Sequence, residues 1–133
     1  MNKCHLTEFS TEEQYQEWSK QPLRDRILDF IDYHAGATFV ELHRVFRKEF
    51  EGDNEYGLVD QNIVFWIDMN KNFIEIIDKL VVEKKLIMHT HPSIIMCYLL
   101  DGCCLTLPIA KRPRHTYKTP HWIPSTFIRR YKQ

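Results

Sequence analysis

Two stretches of this sequence hold residue types suited to binding a polyanion. Residues 111–133 contain Lys111, Arg112, Arg114, Lys118, Arg129, Arg130 and Lys132, and no Asp or Glu. Tyr117, Trp122, Phe127 and Tyr131 are interleaved with them. Cations neutralise phosphates, and rings between them offer unpaired bases a stacking platform worth roughly 1–3 kcal/mol per base. The second stretch is a helix starting at Asn70, whose exposed residues are Asn70, Lys71, Asn72, Glu75, Asp78, Lys79 and Glu83. Asn reads adenine, and Lys meets guanine or phosphate, when such a helix enters a major groove. Glu75 and Asp78 put negative charge where phosphates would run, so the tail is the stronger candidate. The nucleic-acid-binding set is therefore Lys71, Lys79, Lys111, Arg112, Arg114, Tyr117, Lys118, Trp122, Arg129, Arg130 and Lys132, with Arg44, Arg47 and Lys48 as further phosphate contacts.

The tail rings have a second reading. Tyr117, Trp122, Ile123 and Phe127 can strap the tail to the domain as core residues, and a Trp between prolines favours such packing. The charges divide in the same place. Residues 1–110 hold 11 Lys or Arg against 18 Asp or Glu, a balance of −7, and residues 111–133 restore it with 7 cations. The basic end suits a polyanion or an acidic protein surface, or the protein's own acidic body.

Other chemistries find less support. His89 and His91 lie two apart on an expected strand, with Cys97 across a hairpin, but no fourth ligand and no Cys-x-x-Cys accompanies them. No metal or cofactor is expected. Only 4 glycines are present, without a phosphate cradle or nucleophile elbow. Asp25, Asp29 and Asp32 fall on a solvated helix face, so the expectation is a protein without catalytic activity. Phe9, Tyr15 and Trp18 form an aromatic N-terminal segment that docks on a partner or covers its own core.

The elements that must position these residues follow from periodicity and capping. Ser10-Thr-Glu-Glu13 reads as a capping box opening a short helix, which Gln21-Pro22 ends. Pro22 starts a helix over 22–34 with Leu23, Ile27, Phe30, Ile31 and His34 on one face, and Gly36 stops it. Thr38 caps a helix over 38–50 that turns Phe39, Leu42, Val45 or Phe46, and Phe50 inward, with His43, Arg44, Arg47 and Lys48 outside. Residues 51–61 read as a polar loop and 62–67 as a strand. A helix over 70–84 buries Phe73, Ile76 or Ile77, Leu80 and Val81. Residues 86–91 and 94–100 are expected to pair as a hairpin turning at His91-Pro-Ser93, and 105–110 to add a strand. Residues 111–124, with three prolines, read as extended chain laid over a surface, and 125–131 as a final helical turn.

A chain of 133 residues with 44% hydrophobic residues suits one folded domain with an added arm or tail. No apolar run reaches the length of about 18 residues that a membrane helix needs. The first residues lack the apolar stretch of a secretory signal, and the cysteine spacing is not that of a disulfide framework. A cytoplasmic protein with reduced thiols is expected.

Helix, helix, strand, helix, hairpin resembles the winged-helix (winged helix-turn-helix) family, with residues 22–34, 38–50 and 70–84 as its three helices and 86–100 as its wing. The chain departs from the family between the second and third helices, where about 20 residues and a strand replace a short turn. The ending Leu-Pro-Ile-Ala-Lys-Arg-Pro…Lys-Thr-Pro-His-Trp-Ile-Pro resembles small accessory proteins of phages and mobile genetic elements of Gram-positive bacteria. These resemblances imply an α+β, winged-helix-like domain over 22–110, an N-terminal helical arm over 1–21 and a basic, aromatic C-terminal tail over 111–133. They imply a non-catalytic accessory protein in replication or regulation that binds DNA, single strands included, in preference to RNA. The alternative is a protein-interaction adaptor that binds a larger replication enzyme or a host protein.

Overall fold

The computed structural model describes residues 11–112 and 114–131. Cys4, Phe9, Ser10 and Lys132 lie outside the described residues. Thr11 serves as the N-cap of α1 (Glu12–Ser19), its hydroxyl accepting from the Gln14 N–H at 3.1 Å. Trp18 turns inward to meet Phe46 and donates its indole N–H to Asp29 at 3.3 Å.

Helix α2 (Leu23–Tyr33) buries Ile27, Leu28, Phe30 and Ile31. Gly36 ends the segment at φ 84, in the left-handed region that glycine tolerates. Two residues of strand β1 (Ala37–Thr38) lead into α3 (Phe39–Val45). There Thr38 and Glu41 form a complete capping box, each side chain accepting from the other's backbone N–H at 3.1 Å. The helix expected over 38–50 is broken at Phe46, and a separate turn, α4 (Arg47–Phe50), follows. This break redirects the chain so that the Phe50 carbonyl accepts from the Asn70 N–H at 2.6 Å.

Residues 51–61, expected as a loop, instead contribute β2 (Glu51–Leu58), paired antiparallel with β3 (Ile63–Met69). Strand β2 is exposed except around Tyr56, so it lacks the apolar alternation that marks a half-buried strand. Its glycines serve close backbone approach. A Cβ on Gly52 would stand 2.5 Å from the Met69 carbonyl oxygen, and one on Gly57 would stand 2.2 Å from that of Ile63. Strand β3 buries Ile63, Val64, Phe65 and Trp66 in succession. Asn70 caps α5 (Lys71–Val82), which buries Phe73, Ile77 and Leu80.

The expected hairpin over 86–100 is corrected. Strand β4 (Leu86–Thr90) forms, but residues 94–100 fall largely in a helix, α6 (Ile95–Asp101). An apolar run of this length fits a buried strand or a packed helix equally well by periodicity. Tyr98 decides for the helix, because it points into the core and donates its hydroxyl to the Ser125 carbonyl. The partner of β4 is β6 (Ser125–Arg129), antiparallel from Leu86↔Arg129 to Thr90↔Ser125. Residues 125–129 were expected to be helical. Their Thr126, Phe127 and Ile128 suit a strand, and Phe127 packs edge-on against Phe39 at 5.2 Å. Residues 105–110 form no strand, only a single bridge between Ile109 and Trp122.

The result is an α+β fold with two three-stranded sheets, one ordered β1-β6-β4 and the other β2-β3-β5, where β5 (His121–Trp122) runs parallel to β3. Phe39, Trp66, Tyr98, Trp122 and Phe127 form the aromatic centre joining them. No described helix is long and apolar enough to cross a membrane.

Candidate nucleic-acid interface

The basic stretch divides into a closed loop and a core strand. The Ala110 N–H donates to the Trp122 carbonyl at 2.7 Å and the Trp122 N–H to the Pro108 carbonyl at 2.8 Å, so the chain leaves and re-enters the body at one place. Between these points Tyr117 organises the loop. Its hydroxyl accepts from the Arg112 N–H at 3.0 Å and donates to the Arg112 carbonyl at 3.3 Å. Its backbone is held from outside the loop, with the N–H donating to the Gln61 carbonyl at 3.0 Å and the carbonyl accepting from the Asn62 side-chain amide at 2.8 Å. Asn62 sits at φ 54, a left-handed conformation that Asn tolerates better than most residues. The Tyr117 ring stacks on His121 at 3.9 Å, and His115 meets it edge-on at 4.8 Å.

Lys111, Arg112, Arg114 and Lys118 are all exposed on this loop. None forms an ion pair among the described residues. No Asp or Glu occurs in the sequence after Asp101. His121 Nδ1 lies 2.8 Å from the Thr119 carbonyl, which can only accept, so that nitrogen carries the proton.

The other expected contacts lie elsewhere. Trp122 is 0% exposed, donates its indole N–H to the Phe65 carbonyl at 3.2 Å and packs on Trp66 and Tyr98. It is a core residue with no free face for a base, which corrects its expected role as a stacking platform and agrees with the alternative reading of Trp122, Ile123 and Phe127 as core residues that strap the tail to the domain. Arg129 approaches Asp32 at 4.0 Å and covers the Tyr131 ring, while Arg130 is exposed beside it. Lys71 follows the far end of β3 from the loop, a strand's length of roughly 20 Å away.

Lys71 and Lys79 are exposed on α5, as expected. That helix also presents Glu75 and Asp78, and β2 runs beside it with the exposed acids Asp53 and Glu55. The Tyr56 hydroxyl donates to Asp78 at 3.1 Å. Burial, with the Asp78 charge beside it, pushes the Tyr56 phenol up and keeps it neutral. Glu83 pairs with Arg24, whose hydrogen bond holds the Glu83 carboxyl below the usual carboxylate range.

Arg44, Arg47 and Lys48 border a cleft of about 740 Å³ that Tyr15, Trp18 and Phe46 also line. On its border Arg26 pairs with Glu49 at 3.1 Å and Arg47 with Glu51 at 3.5 Å. The His43 hydrogen bond to Glu51, with Arg47 alongside, holds that carboxyl low. Cys97 sits on α6 and not across a hairpin from His89 and His91, so the considered metal trio does not assemble.

Gln61, Asn62, His115 and His121 were not singled out in the sequence, although they hold the loop in shape. Their partners are long-range or depend on ring stacking, and no local motif marks them. Comparison of the chain with protein-family models, curated proteins and solved structures finds no match.

Proposed function

We propose that this protein is a non-catalytic, winged-helix-type nucleic-acid-binding accessory protein whose main contact is the loop over residues 111–121. The element order supports the class. Helices α2, α3 and α5 are followed by an antiparallel strand pair, β4 and β6, in the place of the wing. The wing strands are joined by a long excursion, residues 91–124, that carries the cations.

One observation carries the reading: Lys111, Arg112, Arg114 and Lys118 stand exposed on a loop that is tied shut at its base and across its middle. A pre-shaped loop loses little conformational entropy on binding, and each phosphate it neutralises releases counterions. Helix α5 suits this role less, because Glu75, Asp78 and the neighbouring β2 acids repel phosphates. The loop contacts are phosphate contacts, so binding tolerates any sequence. DNA is the proposed ligand, in the replication or regulation of a mobile element. The exposed acids of β2 favour a second reading, an adaptor docking on a basic protein surface.

The test is fluorescence anisotropy of labelled duplex and single-stranded oligonucleotides with the wild type and a variant carrying Lys111→Gln, Arg112→Gln, Arg114→Gln and Lys118→Gln. Loss of at least about tenfold in affinity is expected. Equal binding by both proteins would reject the loop as the site. Truncation after Ala110 is not a usable comparison, since it removes β6 from the middle of its sheet.

A further inference from the structure

We propose that His121 is a further phosphate contact of the loop over residues 111–121, and that it makes this contact only as the imidazolium, so that DNA binding takes up a proton. Its role there rests on the nucleic-acid reading above. The ring is held against the middle of the loop. It stacks on Tyr117 at 3.9 Å and 19°, and the Tyr117 hydroxyl binds both the N–H and the carbonyl of Arg112. The His121 backbone N–H donates to the Asn62 carbonyl at 2.9 Å, which fixes the residue at the start of β3, and its side chain is only half-buried.

The two ring nitrogens are not equivalent. Nδ1 donates to the Thr119 carbonyl at 2.8 Å, and Nε2 has no partner among the described residues. A neutral imidazole carries one proton, so with Nδ1 protonated Nε2 can only accept. Phosphate oxygens also only accept. Neutral His121 therefore turns a lone pair toward a phosphate, whereas the imidazolium donates to it in a charge-assisted hydrogen bond. His115 differs. It is exposed and edge-on to Tyr117, and neither of its nitrogens has a partner among the described residues. By choice of tautomer it can offer a phosphate an N–H while neutral.

The surroundings supply no anion to the ring. The loop contributes the cations Lys111, Arg112, Arg114 and Lys118, with His115 as its other titratable ring beside Tyr117. The segment 105–110, which meets Trp122 through Ile109, carries no charged residue. Next to the start of β3, the turn Val59–Gln61 carries one acid, Asp60, which is exposed and forms no ion pair with His121. A bound phosphate brings the negative charge that favours the imidazolium, and the proton comes from solvent. Imidazole is the side chain whose ordinary titration falls between about pH 5 and 8, so the uptake is read near neutrality.

The experiment is isothermal titration calorimetry of the full chain with a DNA duplex at low salt, in buffers of differing ionisation enthalpy, which counts the protons taken up. The wild type is expected to take up as much as about one proton per chain near pH 6.5, and to bind about three- to tenfold tighter at about pH 5.5 than at about pH 8. His121→Gln should lose most of the uptake and flatten the pH dependence, while His115→Gln keeps the uptake. His121→Arg guards against simple loosening of the loop, because a guanidinium also stacks on a tyrosine ring and stays charged. It should bind tightly at every pH with the same loss of uptake. Proton uptake in both His121 variants equal to that of the wild type would overturn this proposal alone and leave the loop as the site. Binding lost in His121→Gln and not restored in His121→Arg would also overturn it, since the ring would then act by shape and not by charge. A wild type that binds no duplex at either pH would overturn it together with the nucleic-acid reading.

Discussion

The Tyr98 hydroxyl donates to the Ser125 carbonyl at 2.7 Å and accepts from the Phe39 N–H at 3.2 Å, so one phenol oxygen joins α6, β6 and the start of α3. Both partners are buried backbone groups. Tyr98→Phe keeps the ring and strands them, which should cost about 1–3 kcal/mol of stability in urea unfolding. An unchanged midpoint would mean that the bond contributes nothing net.

Alkaline pH should expose the same residue. Burial pushes the phenols of Tyr98 and Tyr56 above their ordinary 10.0. The folded state therefore keeps both protons where the unfolded chain begins to lose them. Above about pH 10 the unfolded state binds fewer protons, so stability falls as pH rises, by up to about 1.4 kcal/mol per pH unit for each tyrosine. Below pH 10 the contribution is fully present. Urea midpoints measured from pH 9 to 11 should fall less steeply in Tyr98→Phe than in the wild type, and equal slopes would contradict the assignment.

Gly57→Ala tests the β2–β3 contact. The added Cβ would lie 2.2 Å from the Ile63 carbonyl oxygen and 2.9 Å from the Val64 Cα, both backbone atoms that cannot swing aside. A loss of about 1–3 kcal/mol is expected from thermal or urea unfolding. A neutral substitution would mean that this pair of strands is more loosely joined.

Much of the helical half of the fold was legible because its signals are local. The Thr38 and Asn70 caps, the Gly36 stop and the inward stripes of α2 and α5 each depend on residues within a turn or two. The strands were less legible. Strand β6 pairs with β4 across more than thirty intervening residues, and no local pattern identifies that partner. Residues 94–100 held only apolar types, which do not distinguish strand from helix. The site divides in the same way. Its cations and missing carboxylates could be read directly, but the bond from Asn62 to Tyr117 spans 55 positions. For Trp122 the flanking prolines favour packing over a role as a base platform, and its burial agrees, but nothing local names Phe65, Trp66 and Tyr98 as the residues that enclose it.

That long-range bond yields its own prediction. Asn62→Gly keeps the left-handed backbone accessible while removing the amide that donates to the Tyr117 carbonyl. The loop should loosen with the body intact. Hydrogen exchange at the Tyr117 amide, which donates to the Gln61 carbonyl at 3.0 Å, should quicken by about tenfold, the equivalent of some 1.4 kcal/mol. Unchanged exchange would show that Tyr117 is held without Asn62.

If loop 111–121 binds DNA by neutralising phosphates, as proposed above, the salt dependence of affinity reveals it most directly. With four loop cations engaged, the logarithm of the duplex association constant should fall against the logarithm of salt with a slope of about −3 to −4. Replacing Lys111, Arg112, Arg114 and Lys118 by Gln should weaken binding and bring that slope close to zero. No binding even at low salt, or the same slope in both proteins, would contradict the account.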